Sequence, residues 1–309
     1  MTQESLTYNS QPLDTTPESF GPLRLSADAL DDMDELRHRF QEDGYLYLPG
    51  LLDRDTLLAA REEMLAELAK LDFVDTNYPL MDGVAKRAVA VSAQSMRDLS
   101  KHNKPLHQTL RAGPMISFYE RFLDGPVRPL DFTWCRVKSS GGKTATSPHC
   151  DIVFMGRGTK NLHTSWTPLG NIPKEMGGLM ILENSHRQEE IKATYGQIDV
   201  DVYCTNAPDA HEIESGQKNW QRKGGGSYTQ DAIGLRKDLR SRWLTTDYQL
   251  GDLLIFSMYT MHASMDNQTD RLRLSTDTRY QLASEPIDER WIGEEPIAHG
   301  LGAKKGMIC

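Results

Sequence analysis

"GDLLIFSMYTMHASMDNQTDRLRLSTDTRYQ", residues 251–281, holds two apolar runs separated by a histidine and a polar turn. "GDLLIF" (251–256) reads as a turn followed by a buried strand, and "RLSTDTRYQL" (273–282) as a second strand. His262 lies between them, and Arg273 opens the second. Upstream, from about residue 130, come five similar runs: "LDFTWCRVK" (130–138), "HCDIVFM" (149–155), "LHTSWTPLG" (162–170), "GGLMILENS" (177–185) and "RWLTTDYQL" (242–250). Gly, Pro, Asn and Asp separate them. Short strands with turn signals between them predict a β-sandwich or barrel.

The first part of the chain has a different texture. A helix is expected across "SADALDDMDELRHRFQEDG" (26–44), with Leu30, Met33, Leu36 and Phe40 at helical spacing, Ser26 as N-cap and Gly44 as stop. "YLYLP" (45–49) reads as a short strand. A second helix follows Asp53 as N-cap, with Leu57, Met64, Leu65, Leu68 and Leu71 in one stripe, and a third covers about 105–123. The segment 205–242 interrupts the strands and contains the polar, glycine-rich "GQKNWQRKGGGSYTQD" (216–231), expected to be a functional loop or a mobile excursion, with "QRKGGG" (221–226) a lid hinge or simply disordered. The expected organisation is a flexible tail over 1–22 and a single domain over 23–285. That domain has a helical part (23–125) and a β core (130–285), and a C-terminal extension covers 286–309.

Bulk properties exclude several roles. Among 309 residues, 44 acidic side chains outnumber 35 basic ones, for a net charge of −9. A nucleic-acid binder needs a basic face, so none is expected. No apolar run approaches the roughly 18 residues of a spanning helix, and the polar N-terminus resembles no signal peptide, so no membrane partner is expected. Cys135, Cys150, Cys204 and Cys309 are widely spaced and form no CxxC pair. The expectation is a reduced, cytoplasmic protein without a disulfide framework. The terminal "KKGMIC" is not a peroxisomal signal.

Chemistry concentrates at "SPHCDIVF" (147–154). On a strand, alternate side chains share a face, so His149 and Asp151 can converge on one ion while Cys150 points into the wall. One more histidine completes a two-histidine, one-carboxylate triad, which leaves half of an octahedron open, as non-haem iron(II) oxygenases require. His262 follows Asp151 by 111 residues. Arg273 lies one strand further on, and a buried guanidinium suits a carboxylate. A dicarboxylate that chelates iron at one end and meets Arg273 at the other would satisfy both; 2-oxoglutarate is such a molecule. Arg271 competes with Arg273 by the period of two.

With "FQEDGYLYLPGLLDRDTL" (40–57), "HCD" (149–151), "SWTPLGNIPKEMGGLMILENSHR" (165–187), "GDLLIFSMYTMHAS" (251–264) and "NQTDRLRLS" (267–275) in this order, the chain resembles the phytanoyl-CoA dioxygenase family of Fe(II)/2-oxoglutarate oxygenases over roughly residues 36–282. The resemblance implies a fold that is mainly β with flanking helices: a double-stranded β-helix, a jelly-roll or cupin-like barrel. It implies His149, Asp151 and His262 as catalytic iron ligands. It implies Arg273 and Ser264 at the distal carboxylate of 2-oxoglutarate, with Trp166, and more loosely Trp134, lining that site. Fe(II), 2-oxoglutarate and O2 would be required, with ascorbate as an auxiliary reductant. Because Asp151 is present, hydroxylation of an unactivated C–H in a small molecule is expected, with release of succinate and CO2. Desaturation, cyclisation or epimerisation would use the same iron site. A differently metallated or non-catalytic cupin-like binding protein is the competing class. The substrate (natural product, lipid-derived or acyl-CoA-like) and the oligomeric state are left open. His186 is expected to be structural, Arg279 an ion-pair partner, and His163 to face either pocket or core.

Overall fold

The computed structural model describes residues 5–86, 93–141 and 143–309. Two sheets carry the fold. The larger runs Tyr45–Leu48, Leu253–Ser257, His163–Pro168 and Arg273–Leu282, and both Val127–Pro129 and Trp134–Lys138 pair with the last of these. The smaller runs Phe20–Pro22, Trp243–Thr245, Leu179–Leu182, His262–Ser264 and Thr146–His149. Tyr47, Trp166 and Phe256 of the first pack with Leu179, Ile181 and Leu244 of the second in one apolar cluster, so the sheets lie face to face. They do not close into a continuous barrel.

Strand alternation sorts the side chains. On Arg273–Leu282, Arg273, Ser275, Asp277 and Arg279 share the face turned between the sheets, where Arg279 reaches Asp151 and Arg273 lies over Trp166. Leu274 and Tyr280 point the other way, into a core built with Leu36, Leu57, Met64 and Phe118 of the helical layer. The adjacent strand obeys the same rule: Trp134, Arg136 and Lys138 look inward, Cys135 and Val137 outward.

The helices follow local chemistry. Met33–Asp43 starts at Asp32, whose side chain accepts from the Glu35 amide, instead of at Ser26, whose side chain makes no capping bond. It stops at Gly44, whose φ of 75° is left-handed and where a Cβ would strike the His186 ring. Arg54–Lys70 is capped by Asp53 and buries Leu57, Met64, Leu65 and Leu68; Leu71 falls past its end and is exposed. The single helix expected over 105–123 is two, Lys104–Arg111 and Gly113–Leu123, because the chain turns at extended Ala112 and left-handed Gly113, and Pro114 then starts the second.

Both ends of the chain are built in. Within the stretch expected as a tail, Phe20–Pro22 pairs in parallel with Trp243–Thr245 and Tyr8 is buried; residues 1–4 lie outside the described residues. At the other end Lys305–Met307 pairs with Val202–Cys204, and Cys204 and Cys309 form a disulfide. The expectation of four unpaired cysteines is thereby corrected: the two partners are 105 residues apart, and only the fold brings their chains side by side. Cys135 and Cys150 are free and buried. The segment 205–242 is largely coil with two short helices, Ala210–Glu214 and Ala232–Asp238. Within it the expected hinge is packed down, since the Gly226 carbonyl accepts from the Tyr195 hydroxyl and a Cβ there would overlap the Phe154 ring. No described helix is long and apolar enough to cross a membrane.

Candidate active site

His149 ends the strand Thr146–His149 and His262 begins the strand His262–Ser264; the two are directly paired across the ladder. Asp151 arrives by a route that strand periodicity does not describe. The strand stops at His149, and Asp151 has helical dihedrals (φ −66°, ψ −22°) as the N-cap of the short helix Ile152–Met155. The turn, not a period of two, carries its carboxylate back to the histidines. One ligand atom from each of the three lies within 4.8 Å of the others. Asp151 Oδ1 is 4.0 Å from His149 Nε2 and 3.8 Å from His262 Nε2.

The surroundings prepare these atoms for a cation. His149 Nδ1 sits 2.8 Å from the Ser147 carbonyl and His262 Nδ1 3.0 Å from the Thr260 carbonyl. A ring nitrogen facing a carbonyl must carry the proton, which leaves both Nε2 lone pairs free. Burial, joined by the neighbouring His262, holds His149 down to about 3, and burial also lowers His262, so both rings are neutral at neutral pH. Asp151 Oδ2 accepts from the Thr164 hydroxyl and, at 2.8 Å, from Arg279 Nη2, which turns Oδ1 toward the histidines. Burial pushes the Asp151 carboxyl up, but the Arg279 guanidinium, helped by the Thr164 hydroxyl, outweighs it and holds it below the usual carboxylate range. Two neutral imidazoles and one carboxylate on one side of a site form the donor set of an open iron(II) centre. Cys150 is buried with Sγ toward the Tyr259 carbonyl, and burial pushes its thiol up, as expected for a packing residue.

Further along the same interior, Arg273 is buried and held over Trp166, guanidinium carbon to ring centroid 5.8 Å. Its Nε and Nη1 have no hydrogen-bond partner among the described residues. Burial lowers it to about 10, so it remains a cation at neutral pH. Lys138, directly across the ladder, bonds the hydroxyls of Thr146 and Ser264. Burial and the adjacent Arg273 push its ammonium well below the ordinary lysine range. Arg273, with two donors unfilled, and the half-buried Lys138 amine beside it form a cradle for an anion. A dicarboxylate fits these residues, with one end at the triad and the other at Arg273, Lys138 and Ser264.

Lys138 was missed in the sequence, although "FTWCRVK" placed its strand; its spacing of two from Arg136 and four from Trp134 carries the signal. Trp134 itself is not brought to the Arg273 end. It sits four residues up the strand, roughly 13 Å at a strand's rise, against Phe132, Trp291 and the Arg279 guanidinium. Arg271 precedes the strand instead of sharing its face, is exposed, and pairs with Asp82. Arg279 is an ion-pair partner as expected, and its partner is a triad carboxylate. His163 faces the helical layer among Phe40, Tyr119 and Phe122. His186 contacts the Gln41 carbonyl, away from the triad.

Comparison with known proteins agrees with this geometry. The family model "Phytanoyl-CoA dioxygenase (PhyH)" matches residues 40–275. The chain belongs to the phytanoyl-CoA dioxygenase family. It is therefore an Fe(II)- and 2-oxoglutarate-dependent oxygenase. A relative from Streptomyces exfoliatus, 1-deoxypentalenic acid 11-beta-hydroxylase, is 26% identical over 263 residues, covering 82% of this chain and 83% of its own. Among solved structures, EctD from S. alaskensis with 2-oxoglutarate and 5-hydroxyectoine matches with a TM-score of 0.57 at 14% identity, covering 100% of this chain and 96% of its own. The carbocyclase SnoK from nogalamycin biosynthesis matches at 0.53 and 17%, covering 86% and 89%. At these identities the structural likeness speaks for the cupin-like fold.

Proposed function

We propose that this oxygenase hydroxylates an unactivated C–H bond of a small organic molecule of the natural-product kind, with His149, Asp151 and His262 holding iron(II). The observation that carries the assignment is the convergence of Nε2, Oδ1 and Nε2 at one point beside a buried, unpaired guanidinium. Arg273, aided by Lys138 and Ser264, holds the distal carboxylate of 2-oxoglutarate, and Trp166 flanks the same end. When bound, iron(II) would supply a site for activating O2, the four-electron oxidant, with two electrons coming from 2-oxoglutarate as it becomes succinate and CO2 and two from the C–H bond. The chain's own part is positional. Ser147 and Thr260 fix the histidine rings, Thr164 and Arg279 fix the carboxylate, and two packed sheets keep the pocket dry. Asp151 keeps the third protein ligand in place, and the curated relatives carry hydroxylase names; both support hydroxylation.

The test needs no substrate. Iron(II) and 2-oxoglutarate added anaerobically should produce a weak visible charge-transfer band, which His149→Ala should abolish along with bound iron. A wild-type protein without the band, or a variant that retains its iron, would sink the assignment. Succinate release on a substrate panel then reads turnover.

A further inference from the structure

A cavity of about 680 Å³, lined by none of the three ligands but joined to them through Trp134 and the Arg279–Asp151 pair, has a lining unusual for this chain. The protein is acidic overall, yet no carboxylate lines the cavity among the described residues, whereas Arg97, Arg136, Lys218, His299 and Lys304 do. Most of these cations are already engaged. Lys218 pairs with Asp209, Lys304 bonds Asp201 and Asn219, and Arg97 lies over the Phe132 ring. Arg136 differs. Its Nε donates to Asp277 at 2.7 Å, and no other hydrogen bond involves its guanidinium among the described residues. That single side-on contact with a buried carboxylate orients the guanidinium and leaves the Nη1–Nη2 edge free. Its side chain is 39% exposed, although its strand lies inside the fold, because it opens into the cavity.

The rest of the inner wall is aromatic. Phe132, Trp134 and Trp291 pack with ring centroids 4.4–5.4 Å apart. The Trp134 ring also carries the Arg279 guanidinium at 4.0 Å, and Arg279 holds Asp151. Arg136 and Trp134 are thus one strand step apart, on the face that leads to the iron ligands. A fork oriented for a carboxylate and an apolar aromatic wall together describe an amphipathic acid.

Building on the oxygenase reading above, we propose that the primary substrate is a carboxylic acid with a compact apolar body, its carboxylate bound end-on by Arg136 and its body lying against Phe132 and Trp134, which the fully buried Trp291 backs from behind. An acyl thioester or ester, which lacks the free carboxylate, is a poor occupant.

The probe is abietic acid, a fused-ring acid, against methyl abietate, titrated anaerobically into the Fe(II)- and 2-oxoglutarate-loaded enzyme. Binding is read from the visible charge-transfer band and from tryptophan fluorescence. The acid should bind at least tenfold tighter than the ester. Arg136→Gln should remove that preference by weakening the acid about tenfold, leaving the ester and the probe-free band unchanged, and Arg136→Lys should restore part of it. Equal binding of acid and ester, no binding of either, or a preference that survives in Arg136→Gln would overturn the proposal. Competition by coenzyme A would also overturn it, by placing phosphate at Arg136. The wild-type acid-to-ester comparison stands even if a variant fails to fold. A missing band in the probe-free enzyme would instead strike the oxygenase reading.

Discussion

Replacing Arg273 with methionine should cut co-substrate affinity sharply while changing the stability of the free protein little. In the free protein the guanidinium is buried, leaves Nε and Nη1 without a protein partner, and repels the ammonium of Lys138 across the ladder. Leaving a buried polar group unsatisfied costs about 1–3 kcal/mol. Against that stands its stacking on Trp166, worth roughly 0.5–2 kcal/mol. Methionine is of similar size and loses both, so the free Arg273→Met protein should fall between about 1 kcal/mol less stable and about 2.5 kcal/mol more stable. The same change removes the charge-assisted fork. At about 1.5–3 kcal/mol for each hydrogen bond to a charged group, two lost bonds predict a fall in 2-oxoglutarate affinity of 10²-fold or more. Urea denaturation of the metal-free protein reads the first effect. Anaerobic titration of the charge-transfer band with 2-oxoglutarate reads the second. A variant several kcal/mol less stable would show that Arg273 is a structural strut. An unchanged affinity would show that the distal carboxylate binds elsewhere.

Three further outcomes are expected. Cys150→Ala should keep iron binding and Asp151→Ala should lose it, as measured by metal content after purification, because the thiol faces the Tyr259 carbonyl while the carboxylate faces the histidines. The folded-state pKa of Lys138 lies below its unfolded value, so its protonated form opposes folding: this penalty is full below the lowered value and fades as pH rises toward the ordinary lysine range. Above the lowered value, 2-oxoglutarate should draw a proton onto Lys138, giving proton uptake that calorimetry in buffers of different ionisation enthalpy detects and Lys138→Met removes. Breaking the 105-residue link by Cys309→Ser should cost about 2–4 kcal/mol. Chemical denaturation should bring reduced wild type to the level of the variant, and a difference that persists under reduction would refute the link's contribution.

Local chemistry was readable wherever a short segment decides its own conformation. Asp53 caps its helix, Gly44 ends another in the left-handed region, and alternation along 273–282 separates an arginine-lined face from an apolar one. The iron-ligand set was readable too, from His149, Asp151 and His262 taken in order. Strand alternation does not account for the first pair: "HCDIVFM" has strand composition, but the chain turns helical at Asp151, where the carboxylate is held by Thr164 and Arg279 from the opposite sheet. Residues 13 and 128 positions away make that choice, and no local pattern encodes them.

By itself, then, the order of residues determined the strands, caps and alternating faces, because these act over a few residues, and through the ordered motifs of the family resemblance it pointed to the three residues of the candidate metal site and to Arg273 as the proposed anion partner. The tertiary structure decided what depends on distant chains meeting. It set Lys138 across from Arg273, turned Arg136 into the cavity with Asp277 behind it, and laid the first residues along Trp243–Thr245. It also brought Cys309 to Cys204. Each of these pairings follows from how two sheets and their connections pack, and packing joins residues that share no neighbourhood in the sequence.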